Sequence, residues 1–223
     1  MTKRQLLIGG IILAAIVIGI VAYVMTATPR EANLSSDTQG YQMAINAYDR
    51  TMGDPKAPVQ VIEYAAPTCP VCAHFNATMF PTMKTYIDSG KIYYAFRVMP
   101  LSQVDFAAEG MARCLPADNY FEFIDLLFRN QAKWDPDGHD IPDVHAALVG
   151  MGQIAGMSAA QVDKCIGDVE TQKKTQAIAE EANKKYGVDS TPTFFADGKL
   201  APYFSTPDDV KKYLDQVLAQ KKK

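Results

Sequence analysis

Residues 59–72 read VQVIEYAAPTCPVC. The first seven, Val59 to Ala65, are rich in β-branched and apolar side chains, and prolines stand at positions 58 and 67. A short apolar run bounded in this way reads as a buried strand. The last four residues are a C-x-x-C pair, Cys69-Pro70-Val71-Cys72. From Pro70 to about Ser89 the residues Phe75, Met79, Met83 and Ile87 recur near helical spacing, so the pair opens a helix, which Pro81 should kink. Two intervening residues at a helix start let the sulfurs approach to bonding distance. Free amides and the positive end of the helix dipole there favour a thiolate at Cys69. A sulfur that holds charge easily leaves readily in exchange and favours the reduced dithiol, which makes the disulfide oxidising. Cys72, one turn inside, is expected to be buried and to act as the resolving thiol. Pro70 suits the first helical position.

Three other chemistries use the same spacing. A zinc site wants a second Cys or His pair, and none follows at finger-like spacing, although His74 is available as a third ligand. Covalent haem needs a histidine directly after the second cysteine, where Ala73 stands. An inert structural disulfide stays open, weakened by the strand-to-helix context.

Working outward, Lys91 to Val98 reads as a second strand, so strand, helix and strand suggest a parallel βαβ unit. Residues 103–185 show only helical patterning, broken by loops such as Trp134-Asp135-Pro136-Asp137-Gly138. Thr193 to Ala196 and Leu200 to Phe204 then read as a hairpin around Asp197-Gly198. A helix from about Pro207 to Gln220 closes the chain, with Val210, Tyr213, Leu214 and Val217 on its apolar face. The expected fold class is α/β: a small sheet domain over 51–99 and 186–223, interrupted by an all-helical insertion over 100–185.

The 223 residues carry a formal net charge of -3, which offers no basic surplus for phosphates and argues against a nucleic-acid binder. Leu6 to Val24 contains no charge and is long enough for a bilayer core, with Lys3 and Arg4 before it. Residues 1–25 therefore read as an inner-membrane anchor or a cleaved signal that sends the remainder across the membrane. The poor small-x-small match around Ala27 favours the anchor. Residues 26–50, containing TATPREANLSSDTQG, read as a mobile linker without a long heptad pattern, in keeping with a monomer.

The segment from Glu63 to Phe75, EYAAPTCPVCAHF, resembles the active-site region of DsbA-like thiol–disulfide oxidoreductases of the thioredoxin superfamily. The segment Gly187 to Phe195, GVDSTPTFF, is similar to that family's cis-proline loop, and Gly53 to Val59 also matches its exported members. The resemblance spans roughly 51–220 and includes the helical insertion. It implies a thioredoxin-like fold and a cis Pro192 opposite Cys69, which leaves the backbone of Thr191 free to pair with an extended substrate. Glu63 lies on the buried strand, where a carboxyl near Cys72 can relay the resolving thiol's proton; its alternative is an edge-facing glutamate. Strong oxidases of the family commonly carry histidine before the second cysteine. Val71 has neither donor nor charge, so a less oxidising potential is expected, and His74 is too far round the helix to substitute.

Cys114 and Cys165 lie in the helical stretch, 51 residues apart. Unpaired thiols are unusual in an oxidising compartment, so the two are expected to bond to each other, as in family members that look similar in carrying a second, non-catalytic disulfide; buried free thiols are the alternative. The sequence thus reads as a periplasmic enzyme that introduces disulfides into cysteine-containing exported proteins and, by analogy, is reoxidised by a DsbB-like membrane partner. An isomerase or reductase of the same fold and a non-catalytic chaperone are the rivals. Neither an organic cofactor nor a metal is implied.

Overall fold

The structure is a computed structural model that describes residues 40–221. The anchor-or-signal reading of residues 1–25 lies outside the described residues, among which no helix is long and apolar enough to cross a membrane. Five strands form one sheet: β1 (Arg50–Met52), β2 (Val59–Ala65), β3 (Ile92–Val98), β4 (Thr193–Ala196) and β5 (Lys199–Leu200), in the spatial order β1-β3-β2-β4-β5. β2 and β3 are parallel, with Val59 opposite Ile92 and Ala65 opposite Val98, and the other neighbours are antiparallel. β2 is thus an interior strand, hydrogen-bonded on both sides.

Alternation along β2 decides what the site can contain. Val59, Val61 and Ala65 point into the main core, while Ile62 and Tyr64 point to the opposite face. Glu63 shares the parity of the first set and is 3% exposed. The main core joins these residues to the helices α1 (Pro70–Thr78), α2 (Phe80–Asp88) and α9 (Pro207–Lys221) through Phe75, Met83, Val210 and Leu214. The expected single helix from Pro70 to Ser89 is two helices. Phe80 and Pro81 occupy the first positions of the second, so the proline starts a helix and the chain breaks at Met79.

The helical layer holds α3 (Gln103–Cys114), a 3-10 turn (Ala117–Asn119), α4 (Tyr120–Arg129), α5 (Gln131–Trp134), α6 (Val144–Ile154), α7 (Ala159–Ile166) and α8 (Val169–Tyr186). Its last member is also a sheet helix. Ala182 and Tyr186 of α8 pack with Ile62, Tyr64 and Phe195 on the face opposite α1, so the stretch read as an insertion ends by covering the sheet. Gly187 ends α8 at φ 67, and the Val188 amide closes back on the Ala182 carbonyl at 3.0 Å.

Two other expectations differ from the structure. The second strand of the hairpin stops at Leu200. Beyond it Phe204 turns into the core against Phe75 and Phe194, and Pro202 offers no ladder donor. Part of the stretch read as a mobile linker is bound to the domain. Tyr41 donates its amide to the Gly198 carbonyl at 2.8 Å, and Asp49 forms a buried ion pair with Arg97 at 2.8 Å. Arg97 also donates to the Tyr64 hydroxyl and the Ala44 carbonyl, both at 2.8 Å.

Candidate active site

Cys69 caps the N-terminus of α1. Its backbone is extended, at φ -73 and ψ 117, and its sulfur accepts the Cys72 amide at 3.2 Å. Pro70 follows at the first helical position, where the missing amide costs nothing. Cys69 and Cys72 are free thiols, 4% and 0% exposed. The Thr191–Pro192 bond is cis, and the Cys69 thiol donates to the Thr191 carbonyl at 3.5 Å across 122 residues of chain. Cys69, Cys72, Thr191 and Pro192 are therefore brought together.

The two sulfurs sit in opposed electrostatic settings. Cys69 is lowered to about 6, first by the hydrogen bond from Cys72, then against the cost of burial by the Thr191 side chain and the amides of Cys72 and Val71. Cys72 is pushed far up, chiefly by burial and then by serving as donor to the Cys69 sulfur. A dithiol of this kind keeps its charge on the outer sulfur and its proton on the inner one.

Glu63 completes the inner side. Tyr94 donates its hydroxyl to Glu63 Oε2 at 2.5 Å, because both residues stand on the same face of adjacent strands. Burial pushes the Glu63 carboxyl up to about 8; the Tyr94 bond opposes that and the charge on Cys69 adds to it. Glu63 in turn helps to raise Cys72. A carboxyl that exchanges its proton near neutral pH beside a buried thiol can supply or remove the proton of that thiol.

Two residues that the sequence reading did not single out hold the approach to Cys69. Asp105, 0% exposed on α3, accepts from the Thr68 amide and hydroxyl, each at 2.9 Å. Gln131, at the start of α5, donates Nε2 to the carbonyls of Pro67 at 2.8 Å and Cys69 at 3.0 Å. Ser102-x-x-Asp105 is a visible capping pattern, whereas nothing in the sequence marks Gln131. His74 lies exposed on α1.

Beside the pair runs a groove of about 220 Å³ lined by Val71, Phe75, Pro192, Phe194, Leu200 and Tyr203. Val71, Leu200 and Tyr203 are 42%, 64% and 71% exposed, an uncommon degree for large apolar side chains around one concavity. Cys114 and Cys165 are bonded to each other, joining the end of α3 to α7. Among the described residues no group of three or more His, Cys, Asp or Glu is arranged to hold a metal.

A family model described as thioredoxin matches residues 46–216. The chain belongs to the thioredoxin family. A protein-disulfide oxidoreductase of Rickettsia typhi is 30% identical over 205 residues, covering 90% of this chain and 73% of that protein. Disulfide bond formation protein D of Bacillus subtilis is 25% identical, over 76% of this chain and 77% of its own length. Among solved structures, alpha-DsbA1 of Wolbachia pipientis superposes with a TM-score of 0.73 at 26% identity, covering 80% of this chain and 95% of that one. Within the thioredoxin family the chain is a DsbA-like thiol–disulfide oxidoreductase.

Proposed function

We propose that this protein works outside the cytoplasm as a dithiol oxidase for exported proteins, held at the inner membrane by residues 6–24 or released from it after cleavage. The observation that supports this reading is the split between the two sulfurs, with Cys69 lowered to about 6 and Cys72 raised. In the oxidised enzyme a substrate thiolate attacks the Cys69 sulfur. The Cys69–Cys72 bond breaks and its electron pair goes to Cys72, which takes a proton that is assigned to Glu63, the buried carboxyl whose charge acts on Cys72. A second substrate thiolate then attacks the substrate sulfur of the mixed disulfide, and Cys69 leaves as a thiolate. The substrate loses two electrons and gains a disulfide; the enzyme is left as the dithiol.

The groove beside Pro192 supports an extended, partly apolar substrate segment, with the Thr191 backbone within reach of its main chain. Cys114–Cys165 is assigned a structural part. Reoxidation is assigned to a DsbB-like membrane protein, by analogy alone, and the enzyme to the monomeric state.

Val71 favours a second reading, because its side chain adds no donor to the backbone amides that already face the Cys69 sulfur and so leaves the disulfide less oxidising than a histidine would. Under that reading the same pair works as an isomerase or reductase. Two assays decide between them: oxidation of a reduced, unfolded protein and refolding of a scrambled one. The oxidase reading expects fast oxidation and little unscrambling by the wild type, with both lost in Cys69→Ser. Fast unscrambling with slow net oxidation assigns the isomerase. Activity that survives Cys69→Ser assigns a chaperone role without chemistry.

A further inference from the structure

The backbone that carries Cys69 is held from outside its own sheet. Asp105 Oδ1 accepts the Thr68 amide at 2.9 Å, and its Oδ2 accepts the Thr68 hydroxyl at 2.9 Å, the Leu101 amide at 2.9 Å and the Ser102 amide at 3.0 Å. Capping α3 needs only the Ser102 bond. The two bonds to Thr68 span 37 residues and end on the neighbour of the reactive cysteine. Gln131 reaches the same loop from α5 and bonds the carbonyls on either side of Thr68, those of Pro67 and Cys69. Three successive residues are thus fixed by side chains of the helical layer.

A fully buried carboxylate is expensive unless its oxygens are satisfied. Burial pushes the Asp105 carboxyl up, and the Thr68, Leu101 and Ser102 donors oppose that. Neither Asp105 nor Gln131 touches a reacting sulfur, so any influence on the chemistry must pass through the backbone. Cys69 has to present its sulfur in three bonding states: bonded to Cys72, bonded to a substrate, and free. The free state depends on the 3.2 Å bond from the Cys72 amide. A loop that can drift after each exchange lets that bond lengthen.

We propose that Asp105 and Gln131 are positioning residues for thiol–disulfide exchange, holding the Pro67–Cys69 backbone so that the Cys69 sulfur stays seated over the Cys72 amide. This assignment rests on the oxidoreductase reading and extends it: the helical layer, beyond covering the site, sets the geometry of the nucleophile.

The test uses the full chain with Thr68→Val, Thr68→Ser, Gln131→Ala and Asp105→Asn. Thr175→Val serves as control, because it removes a buried hydroxyl bond of 2.9 Å to the Thr171 carbonyl within α8, outside the clamp. Three quantities are read: the rate at which iodoacetamide alkylates reduced Cys69 at neutral pH, the equilibrium constant of the pair with glutathione, and the melting temperature. Thr68→Val and Gln131→Ala should each lower the alkylation rate and shift the equilibrium constant by at least about threefold to tenfold, the worth of a single lost hydrogen bond, of which Gln131→Ala removes two. Thr68→Ser, which keeps the hydroxyl, should match the wild type. Thr175→Val should lose melting temperature and neither of the other two. The assignment is overturned if Thr68→Val and Gln131→Ala melt lower, like the control, while alkylation and equilibrium stay at wild-type values. These two variants decide the matter even if Asp105→Asn does not fold. A wild type that exchanges no disulfide with glutathione overturns the oxidoreductase reading itself, a result separable from a failed clamp.

Discussion

Glu63 and Cys69 are both acids in the same small site, yet their surroundings move them in opposite directions. Cys69 gathers donors, from the Cys72 thiol and amide and from Thr191, and so holds charge. Glu63 has a single donor, Tyr94, and is buried, and so holds a proton. Its pH linkage can be measured. Tyr94 on β3 and Cys69 at the start of α1 act on Glu63, Glu63 acts on Cys72, and Lys84, Asp118, Glu122 and Asp125 line the same cavity as Glu63. A carboxyl raised from its ordinary value of 4.5 to about 8 binds its proton more tightly in the folded chain. The stabilisation is full below pH 4.5 and is lost as the pH climbs through about 8. Reduced Glu63→Gln lacks this loss. Between pH 5 and 8 its unfolding free energy should therefore gain on the wild type by up to about 1.4 kcal/mol per pH unit. Denaturant unfolding at several pH values checks this, and a constant difference between the two proteins would show that Glu63 stays ionised throughout. At this scale the sequence was legible where chemistry dictates residue type. A C-x-x-C after a strand, and a glutamate in register with Val59, Val61 and Ala65, can be found without coordinates. Asp105 and Gln131 could not be placed, because their partners lie 37 and more than 60 residues away. Their role depends on how the helical layer folds back over the loop.

Elements were legible where a period persisted and less so where one side chain overrode it. The βαβ unit was readable from the apolar runs of β2 and β3, and it is parallel as expected. At Pro81 the apolar period runs through without interruption, but the ring cannot accept an interior position, so the break falls two residues earlier, at Met79. Leu200 to Phe204 read as the second strand of a hairpin around Asp197-Gly198, yet burial of Phe204 among Phe75, Phe194 and Tyr213 outweighs further ladder pairing. The close crossing of α3 and α7 left no periodic trace at all. It depends on Gly110, where an added Cβ would collide with the backbone carbonyl oxygen of Cys165. Backbone cannot yield as a flexible side chain can, so Gly110→Ala should destabilise by about 1–3 kcal/mol despite alanine's better helix propensity. Gly150 on α6 is the internal contrast, since a Cβ there meets nothing within 4 Å. Gly150→Ala should instead stabilise by about 0.5–1 kcal/mol. Thermal unfolding of the two variants side by side checks the pair. If both raise the melting temperature, α3 and α7 are not in contact at Gly110.

At the scale of the whole molecule, a sheet domain and a helical layer share one core, and the chain carries two cysteine pairs with different physics. Cys69 and Cys72 lie three residues apart, so closing them constrains almost nothing and leaves their bond free to open and re-form. Cys114 and Cys165 stand 51 positions apart and enclose α4, α5 and α6. A cross-link of that span removes much of the unfolded chain's freedom, worth about 4 kcal/mol in the chain-entropy account. The bond also fastens the end of α3, whose first turn carries Asp105, to α7. The double variant Cys114→Ala with Cys165→Ala should therefore unfold at a distinctly lower denaturant concentration, with a loss of about 2–5 kcal/mol. Below its unfolding transition it should exchange disulfides at close to the wild-type rate, since neither residue belongs to the cluster around Cys69. Unfolding curves and exchange rates measured on the same preparation separate the two contributions. If exchange falls to the level of Cys69→Ser while the fold persists, the second pair takes part in electron transfer, and its assignment to structure alone is wrong.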